Sequence, residues 1–221
     1  MRDKLRRNLL EVCVKAQDMG LCKAGSGNFS LKDKKTGLIL ISPSGVDRKD
    51  LSEDDFFVMD PLGKIISSKE GLRPTSEAMM HLAIYKYRKD IYGICHTHSK
   101  FATSFAVLNR KIPAFLFEIS ALKLKKAYVP VAKFALPGST DLARNIKDAI
   151  EIADAVLLER HGAVTCGKDI FDALKKAEYL EEVAEIYKNV LDINKGQEPK
   201  SFLQEELDSW TYPENFDISN I

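Results

Sequence analysis

Short apolar runs separated by glycine-containing turns fill the first third of the chain. They lie at residues 25–31, 37–45, 56–59 and 65–66, and residues 60–63 form a turn sequence, Asp-Pro-Leu-Gly, between the last two. Closely spaced apolar runs with turn residues between them are typical of strands joined by hairpins. The pattern therefore predicts an antiparallel sheet in this part of the chain.

Stretches with apolar residues at helical spacing alternate with these runs. They predict helices over residues 3–19, 78–87, 101–108, 139–152 and 169–191. The last of these is long, charged and amphipathic, which is typical of a helix with one face on the core. Strands and helices together indicate an α/β protein.

Length and composition indicate one globular domain. A chain of 221 residues is short enough for a single hydrophobic core. Its 33 Lys+Arg and 32 Asp+Glu are interspersed and leave a net charge of +1. So small a net charge does not attract polyanions, which excludes a general nucleic-acid binder. We expect a single domain over residues 1–221, with a flexible C-terminal tail from about residue 195.

Cysteine usage and hydropathy predict the cellular location. None of the four cysteines belongs to a C-x-x-C pair, which favours reduced thiols and a cytoplasmic protein. No run of roughly 18 apolar residues occurs, so no membrane span and no membrane partner are expected. The basic N-terminus leads into an amphipathic stretch without a continuous apolar segment, unlike a signal peptide.

Two of the four histidines are separated by one residue. His96 and His98 follow a short apolar run, and alternate residues of a strand project from the same face, so the pair offers two imidazoles to one metal ion. His161, in a turn at a strand end, is the candidate third ligand, and His81 ranks after it. Three imidazoles suit zinc and leave one position open. The alternative is two solvated histidines on a hairpin rim and a turn histidine bonded to the backbone.

Glu77 is the candidate acid–base residue. It is predicted in the first turn of a helix with Thr75 or Ser76 as N-cap, where free N–H groups stabilise a negative charge. A glutamate that only caps the helix is the alternative.

Three small polar segments are candidates for binding an anion, at residues 25–28, 42–45 and 75–76. Each offers backbone N–H groups or hydroxyls without a basic side chain, and the last begins a predicted helix. Each is also typical of an ordinary turn, so the prediction depends on all three meeting near the histidines.

The order of these motifs resembles the class II aldolase and adducin family. The motifs are, in chain order, Gly25-Ser26-Gly27-Asn28-Phe29-Ser30, Ile41-Ser42-Pro43-Ser44-Gly45, Arg73-Pro74-Thr75-Ser76-Glu77, His96-Thr97-His98 and Arg160-His161-Gly162. The resemblance extends from the first predicted helix to about residue 191 and is greatest to members that cleave L-fuculose 1-phosphate. It implies an α/β/α sandwich around a central, mainly antiparallel sheet, assembled as a homotetramer with active sites at subunit interfaces.

The resemblance also implies a reaction and a role for individual residues. His96, His98 and His161 would bind one Zn²⁺ per subunit, or Co²⁺ or Mn²⁺ in its place, with Glu77 as acid–base residue and as fourth ligand in the empty site. The substrate phosphate would be bound by Gly27, Asn28, Ser44, Gly45, Thr75 and Ser76. The implied reaction is retro-aldol cleavage of a ketose 1-phosphate to dihydroxyacetone phosphate and a short aldehyde.

Two positions depart from the family pattern. Gly25 stands where family aldolases often carry threonine, which removes a hydroxyl from the phosphate pocket. Residues 113–118 lack the tyrosine that a neighbouring subunit contributes in family aldolases to handle the proton on the aldehyde oxygen. Tyr212 is the candidate substitute.

Three other activities occur in the same family. A sugar-phosphate 4-epimerase resembles this chain but carries aspartate at the position of Glu77, so the glutamate favours an aldolase. A methylthioribulose-phosphate dehydratase also carries glutamate there. An adducin-like interaction domain keeps the fold and loses the metal site, whereas this chain retains all the candidate ligands.

Overall fold

A mainly antiparallel sheet of eight strands is the centre of the fold. The computed structural model describes residues 2–211. The strands are, in chain order, β1 (Asn28–Lys32), β2 (Ile39–Ile41), β3 (Phe57–Met59), β4 (Ile65–Ser67), β5 (Gly93–Thr97), β6 (Ile112–Pro113), β7 (Tyr128–Val129), β8 (Val131–Ala132), β9 (Ala155–Leu158) and β10 (Gly162–Gly167). Eight of them form the sheet in the order β4-β3-β2-β1-β5-β10-β9-β8, while β6 and β7 pair separately. Only the β8–β9 pair is parallel, so the predicted antiparallel sheet is confirmed.

Seven α-helices and two 3-10 helices lie within the described residues. The α-helices are α1 (Arg2–Asp18), α2 (Ala78–Tyr87), α3 (Lys100–Val107), α4 (Thr140–Asn145), α5 (Lys147–Ile152), α6 (Ile170–Ile193) and α7 (Gln204–Asp208), and the 3-10 helices are Glu53–Asp55 and Phe117–Leu122. The single helix predicted over 139–152 is wrong, because the segment forms two short helices that meet at Ile146, whose ψ of −21° tightens the turn. No described helix has the length and apolar character needed to cross a bilayer.

The helices cover both faces of the sheet. Cys95 of β5 packs in a cluster with residues of α1 and α6. Its neighbour Ile94 packs on the opposite face, with residues of α2, α4 and α5. Adjacent strand residues point to opposite faces, so both faces bury apolar side chains. The α/β/α sandwich is therefore confirmed.

One end of the central strands carries polar residues on the α2 face. Asn28 of β1 lies directly opposite His96 of β5, and His96 lies opposite Val164 of β10. By alternation, Asn28 and His96 share the face of Ile94 and point toward the beginning of α2. Residues distant in sequence thus meet at this end of the sheet.

Part of the C-terminal segment, in which a flexible tail is predicted from about residue 195, contacts the body of the protein. Phe202 donates its backbone N–H to the Ala114 carbonyl (2.7 Å), and the Gln204 side chain donates to the Leu124 carbonyl (2.9 Å). The ring of Trp210 packs edge-on against Phe117. These apolar and hydrogen-bonded contacts join residues 202–210 to the body of the protein, while Tyr212 lies outside the described residues.

Gly93, the first residue of β5, packs directly on the backbone where α6 begins. A Cβ atom at this position would overlap the carbonyl group of Asp169. We expect Gly93→Ala to lower the free energy of unfolding by about 1–3 kcal/mol, because α6 must shift from the sheet to make room. Urea unfolding measures this loss, and an unchanged midpoint would show that α6 accommodates the methyl group freely.

Candidate metal and anion site

Four predicted residues converge at the polar end of the sheet. His96 is on β5, His98 follows that strand, His161 ends the turn between β9 and β10, and Glu77 immediately precedes α2. One nitrogen or oxygen atom of each lies within 4.8 Å of those of the others. His96 and Glu77 are fully buried, while His98 reaches the surface. The solvated-hairpin alternative is wrong for these histidines, because their side chains face one another.

The hydrogen bonds of His96 orient a lone pair toward the centre of the cluster. Its Nδ1 lies 2.9 Å from the Ala163 carbonyl oxygen, which only accepts, so Nδ1 carries the proton and Nε2 a lone pair. That Nε2 lies 2.8 Å from Glu77 Oε2 and 2.9 Å from His98 Nε2. A cation placed between His96 Nε2 and Glu77 Oε2 would stabilise these two acceptor atoms, which otherwise repel each other. A histidine whose other ring nitrogen donates to a backbone carbonyl is also typical of metal ligands.

Two buried atoms of the cluster lack hydrogen-bond partners in the described part of the chain, Glu77 Oε1 and His161 Nδ1. The donor set of three imidazoles and one carboxylate is one that zinc commonly takes. Burial lowers the pKa of His161, and burial together with the nearby His96 lowers the pKa of His98 to about 4. Neutral imidazoles at physiological pH are the form that binds a metal, so the residues fit a divalent cation.

Glu77 is held as a carboxylate in spite of its burial. Burial by itself would raise its pKa, but the positive charge of His96 and His161 in their protonated forms and the hydrogen bond from Asn28 outweigh this and hold the pKa well below its usual range. Asn28 Nδ2 donates to Glu77 Oε2 at 2.9 Å. A buried anion among imidazoles suits both metal binding and proton transfer.

The predicted placement of Glu77 in the first turn of a helix is wrong, because α2 begins one residue later and Glu77 occupies the N-cap position. Its side chain makes no capping hydrogen bond and turns instead toward β1 and β5. The reading of Glu77 as a capping residue is therefore also wrong. Thr75, predicted as a cap, accepts the Glu77 N–H at its hydroxyl oxygen (3.3 Å).

The three small polar segments line one cleft of about 300 Å³ beside this cluster. Its walls include all six residues that the family resemblance implies for phosphate binding, together with Glu77, His98 and His161; the six are Gly27, Asn28, Ser44, Gly45, Thr75 and Ser76. Gly27 has a φ of +74°, and a Cβ there would lie 2.6 Å from the His96 carbonyl oxygen. Only glycine therefore lets the first segment cross β5 this closely.

His81, ranked as an alternative metal ligand, is placed elsewhere. Its ring is completely buried, and its two nitrogens are hydrogen-bonded to Asn28 (2.6 Å) and Ser30 (2.7 Å). Because both nitrogens are occupied, His81 is not a ligand. Asn28 is likewise occupied at both ends of its amide, so its side chain is not free to bind an anion.

Arg48 is a residue of the cleft that the sequence analysis missed. Its guanidinium is buried and donates to the carbonyls of Gly25 (2.9 Å), Gly27 and Val46 (3.2 Å). No carboxylate oxygen among residues 4–211 lies within 4.0 Å of its nitrogens. It therefore ties the two glycine-containing segments of the cleft together through their backbones.

Comparison with known proteins agrees with this geometry. Residues 7–188 match the family model described as class II aldolase and adducin N-terminal domain. The chain is 38% identical over 179 residues to an L-fuculose phosphate aldolase of Methanococcus maripaludis. The aligned region covers 81% of this chain and 93% of that protein. It is 31% identical over 192 residues to the L-fuculose phosphate aldolase of Escherichia coli, covering 87% and 86%. A solved structure of an L-fuculose 1-phosphate aldolase superimposes with a TM-score of 0.85 at 33% identity, covering 93% of each chain.

Proposed function

The chain belongs to the class II aldolase and adducin family and is a lyase of the class II aldolase type, and from this we propose that it cleaves a ketose 1-phosphate such as L-fuculose 1-phosphate. The products are dihydroxyacetone phosphate and a short aldehyde. One observation carries the proposal: Glu77 and three histidines converge at the wall of a cleft lined by hydroxyl and amide groups.

His96, His98 and His161 are the proposed ligands of one Zn²⁺ per subunit, and Co²⁺ or Mn²⁺ suits the same donors. When bound, such an ion acts as a Lewis acid toward a carbonyl oxygen and a neighbouring hydroxyl oxygen of the substrate. The Ala163 carbonyl fixes the His96 ring with Nε2 facing the cluster. Glu77 lies against two of the three imidazoles, so its carboxylate would be an additional ligand of the ion in the empty site.

Glu77 is the proposed proton carrier. In the condensation direction its carboxylate removes a proton from the carbon that attacks the aldehyde, and in cleavage it returns that proton to the same carbon. Its Oε1 has no hydrogen-bond partner among the described residues and lies 3.4 Å from His161 Nε2, beside the cleft. For the proton on the aldehyde oxygen, Tyr212 remains the candidate group.

The phosphate of the substrate is proposed to bind in the cleft. Backbone groups of Gly27 and Gly45 and the hydroxyls of Ser44, Thr75 and Ser76 line it. Asn28 contributes its backbone there and its side chain to Glu77. Oriented N–H groups and hydroxyls bind phosphate without a basic surface, which agrees with a net charge of +1.

The family resemblance also supports proposals about the whole molecule. We propose a single domain over residues 1–221, a cytoplasmic location, and a homotetramer with active sites at the subunit interfaces, without a nucleic-acid or membrane partner. Light scattering that gave a monomer would contradict the tetramer.

The same residues distinguish between the other members of the family. An adducin-like interaction domain does not need four converging metal-binding side chains, and a 4-epimerase resembles this chain except for aspartate in place of Glu77. A methylthioribulose-phosphate dehydratase shares the glutamate, so assays must separate it from an aldolase.

Direct assay tests the proposed reaction. The zinc-loaded protein is incubated with L-fuculose 1-phosphate, other ketose 1-phosphates and methylthioribulose 1-phosphate, and release of triose phosphate is followed with a coupled dehydrogenase. Triose phosphate from at least one ketose 1-phosphate is the expected result. Absence of triose phosphate from every substrate would overturn the aldolase proposal, and loss of water from methylthioribulose 1-phosphate alone would identify a dehydratase.

Replacing His96 with alanine is expected to abolish both tight zinc binding and turnover. The imidazole is the central member of the cluster, with Glu77 and His98 both within 3 Å of its Nε2. Elemental analysis after dialysis measures bound zinc, and circular dichroism confirms that the variant is folded. Wild-type protein stripped with a chelator and reloaded is the control, and wild-type turnover by His96→Ala would disprove the ligand set.

A further inference from the structure

Five buried polar side chains form one continuous chain of hydrogen bonds that ends on Glu77. Tyr85 OH lies 2.9 Å from Ser30 Oγ, and Ser30 Oγ lies 2.7 Å from His81 Nδ1. His81 Nε2 lies 2.6 Å from Asn28 Oδ1, and Asn28 Nδ2 lies 2.9 Å from Glu77 Oε2. All five residues are buried. We call these residues the Glu77 relay.

The relay has only one consistent set of donors and acceptors. An ionised carboxylate accepts only, so Asn28 directs its NH₂ at Glu77 and its carbonyl oxygen at His81. His81 Nε2 must then donate. Burial lowers the pKa of His81 to about 3, so the ring is neutral and its Nδ1 accepts the proton of Ser30. Ser30 in turn accepts from Tyr85, so the two hydroxyls, the His81 ring and the Asn28 amide are all hydrogen-bonded.

The relay makes the two carboxylate oxygens of Glu77 unequal. Oε2 is anchored by the hydrogen bond from Asn28 Nδ2 at 2.9 Å, and it lies 2.8 Å from His96 Nε2. Oε1 has no hydrogen-bond partner among the described residues. One oxygen is therefore fixed by the protein, and the other is left for a reacting group.

We propose that His81 is a positioning residue, which acts through Asn28 to fix Glu77 so that Oε1 is the oxygen that transfers the proton. This inference rests on the proposed function. Without the His81 N–H, the Asn28 amide is free to rotate by half a turn, so that its oxygen faces the Glu77 carboxylate. Two acceptor oxygens then repel each other, and Glu77 is displaced from its position. Catalytic groups depend on partners of this kind for orientation.

Kinetics of two His81 variants test the role of this residue. His81→Leu is expected to lower kcat roughly 10- to 100-fold, with KM and bound zinc unchanged. His81→Gln is expected to recover much of this loss, because its NH₂ can donate to Asn28 and its oxygen can accept from Ser30. Equal kcat for wild type and His81→Leu would overturn the inference, and so would a loss explained entirely by lost zinc or raised KM.

A pair of tyrosine variants separates the relay from a general effect of losing a buried hydroxyl. Tyr85→Phe removes the last donor of the relay and is expected to lower kcat by a few-fold. Tyr187→Phe removes a buried hydroxyl that donates to Glu198 on the opposite face of the sheet, and its kcat is expected to stay at the wild-type value. An equal loss of kcat in both variants would contradict the relay.

The protonated ring nitrogen of His81 is a readout that needs no turnover. In ¹⁵N NMR spectra of the zinc-loaded protein we expect a neutral ring with the proton on Nε2, and a shift toward the Nδ1–H form in Asn28→Ala. A wild-type ring with the proton on Nδ1 would overturn the inference. A wild-type protein that cleaves no ketose phosphate but has the Nε2–H ring would refute the proposed function and leave the relay geometry intact.

Discussion

Replacing Glu77 with glutamine is expected to lower kcat by about 10²- to 10⁴-fold, the usual contribution of a general acid–base group. The amide keeps the size of the side chain but cannot accept the proton that the carboxylate takes up. It also places an NH₂ or a neutral oxygen where the anion faces His96, so zinc binding weakens as well. Steady-state kinetics at saturating zinc isolate the effect on proton transfer.

Glu181→Gln is the matched control for this change. The Glu181 carboxylate accepts hydrogen bonds from the backbone N–H groups of Phe101 and Ala102 (2.9 Å each) at the beginning of α3, and it makes none with Glu77 or the three histidines. Its replacement is expected to lower the melting temperature and leave kcat unchanged. If Glu77→Gln retained wild-type turnover at saturating zinc, Glu77 would not be the proton carrier.

Replacing Asp154 with alanine is expected to destabilise the protein by about 3–5 kcal/mol, because it leaves the buried ammonium group of Lys176 with only the more exposed carboxylate of Asp172. Asp154 accepts hydrogen bonds from Lys176 (2.7 Å) and Arg88 (2.8 Å), and both Asp154 and Lys176 are almost fully buried. Burial would lower the pKa of Lys176, but the bonds to Asp154 and Asp172 outweigh it and raise the pKa. Urea unfolding at neutral pH measures the loss.

The double variant Asp154→Ala with Lys176→Met distinguishes a buried charge from a packing defect. Once the ammonium group is also removed, no buried ammonium charge needs compensation at that position, so the double variant is expected to be more stable than Asp154→Ala alone. Strictly additive losses would show that the two residues do not interact. Activity should follow the folded fraction in both variants, since this ion pair does not contact the cleft.

Periodicity was enough to predict most of the elements. Apolar spacing predicted α2 at its observed bounds and the long α6 to within two residues at each end. It did not predict the break at Ile146 between α4 and α5, nor the packing of isolated apolar residues such as Phe202 on the body of the protein.

Residue chemistry and motif order predicted the converging ligands, but not the hydrogen-bonded residues that hold them in place. Glu77, His81 and Tyr85 are spaced by four residues, which already places them on one face of a helix. That face contacts Asn28 and Ser30 only because β1 lies beside β5 in the sheet. The sequence contains no local sign of that pairing. Arg48 could not be predicted either, since its partners are backbone carbonyls.

Arg48 also determines at which stage the backbone of the cleft loses its conformational entropy. Its hydrogen bonds to the carbonyls of Gly25, Gly27 and Val46 immobilise glycine-containing segments that would otherwise be among the most mobile of a chain. That loss of freedom occurs during folding, when burial of the core compensates for it. A ligand that enters the cleft then meets a surface that is already ordered, and its binding free energy is not reduced by loop closure.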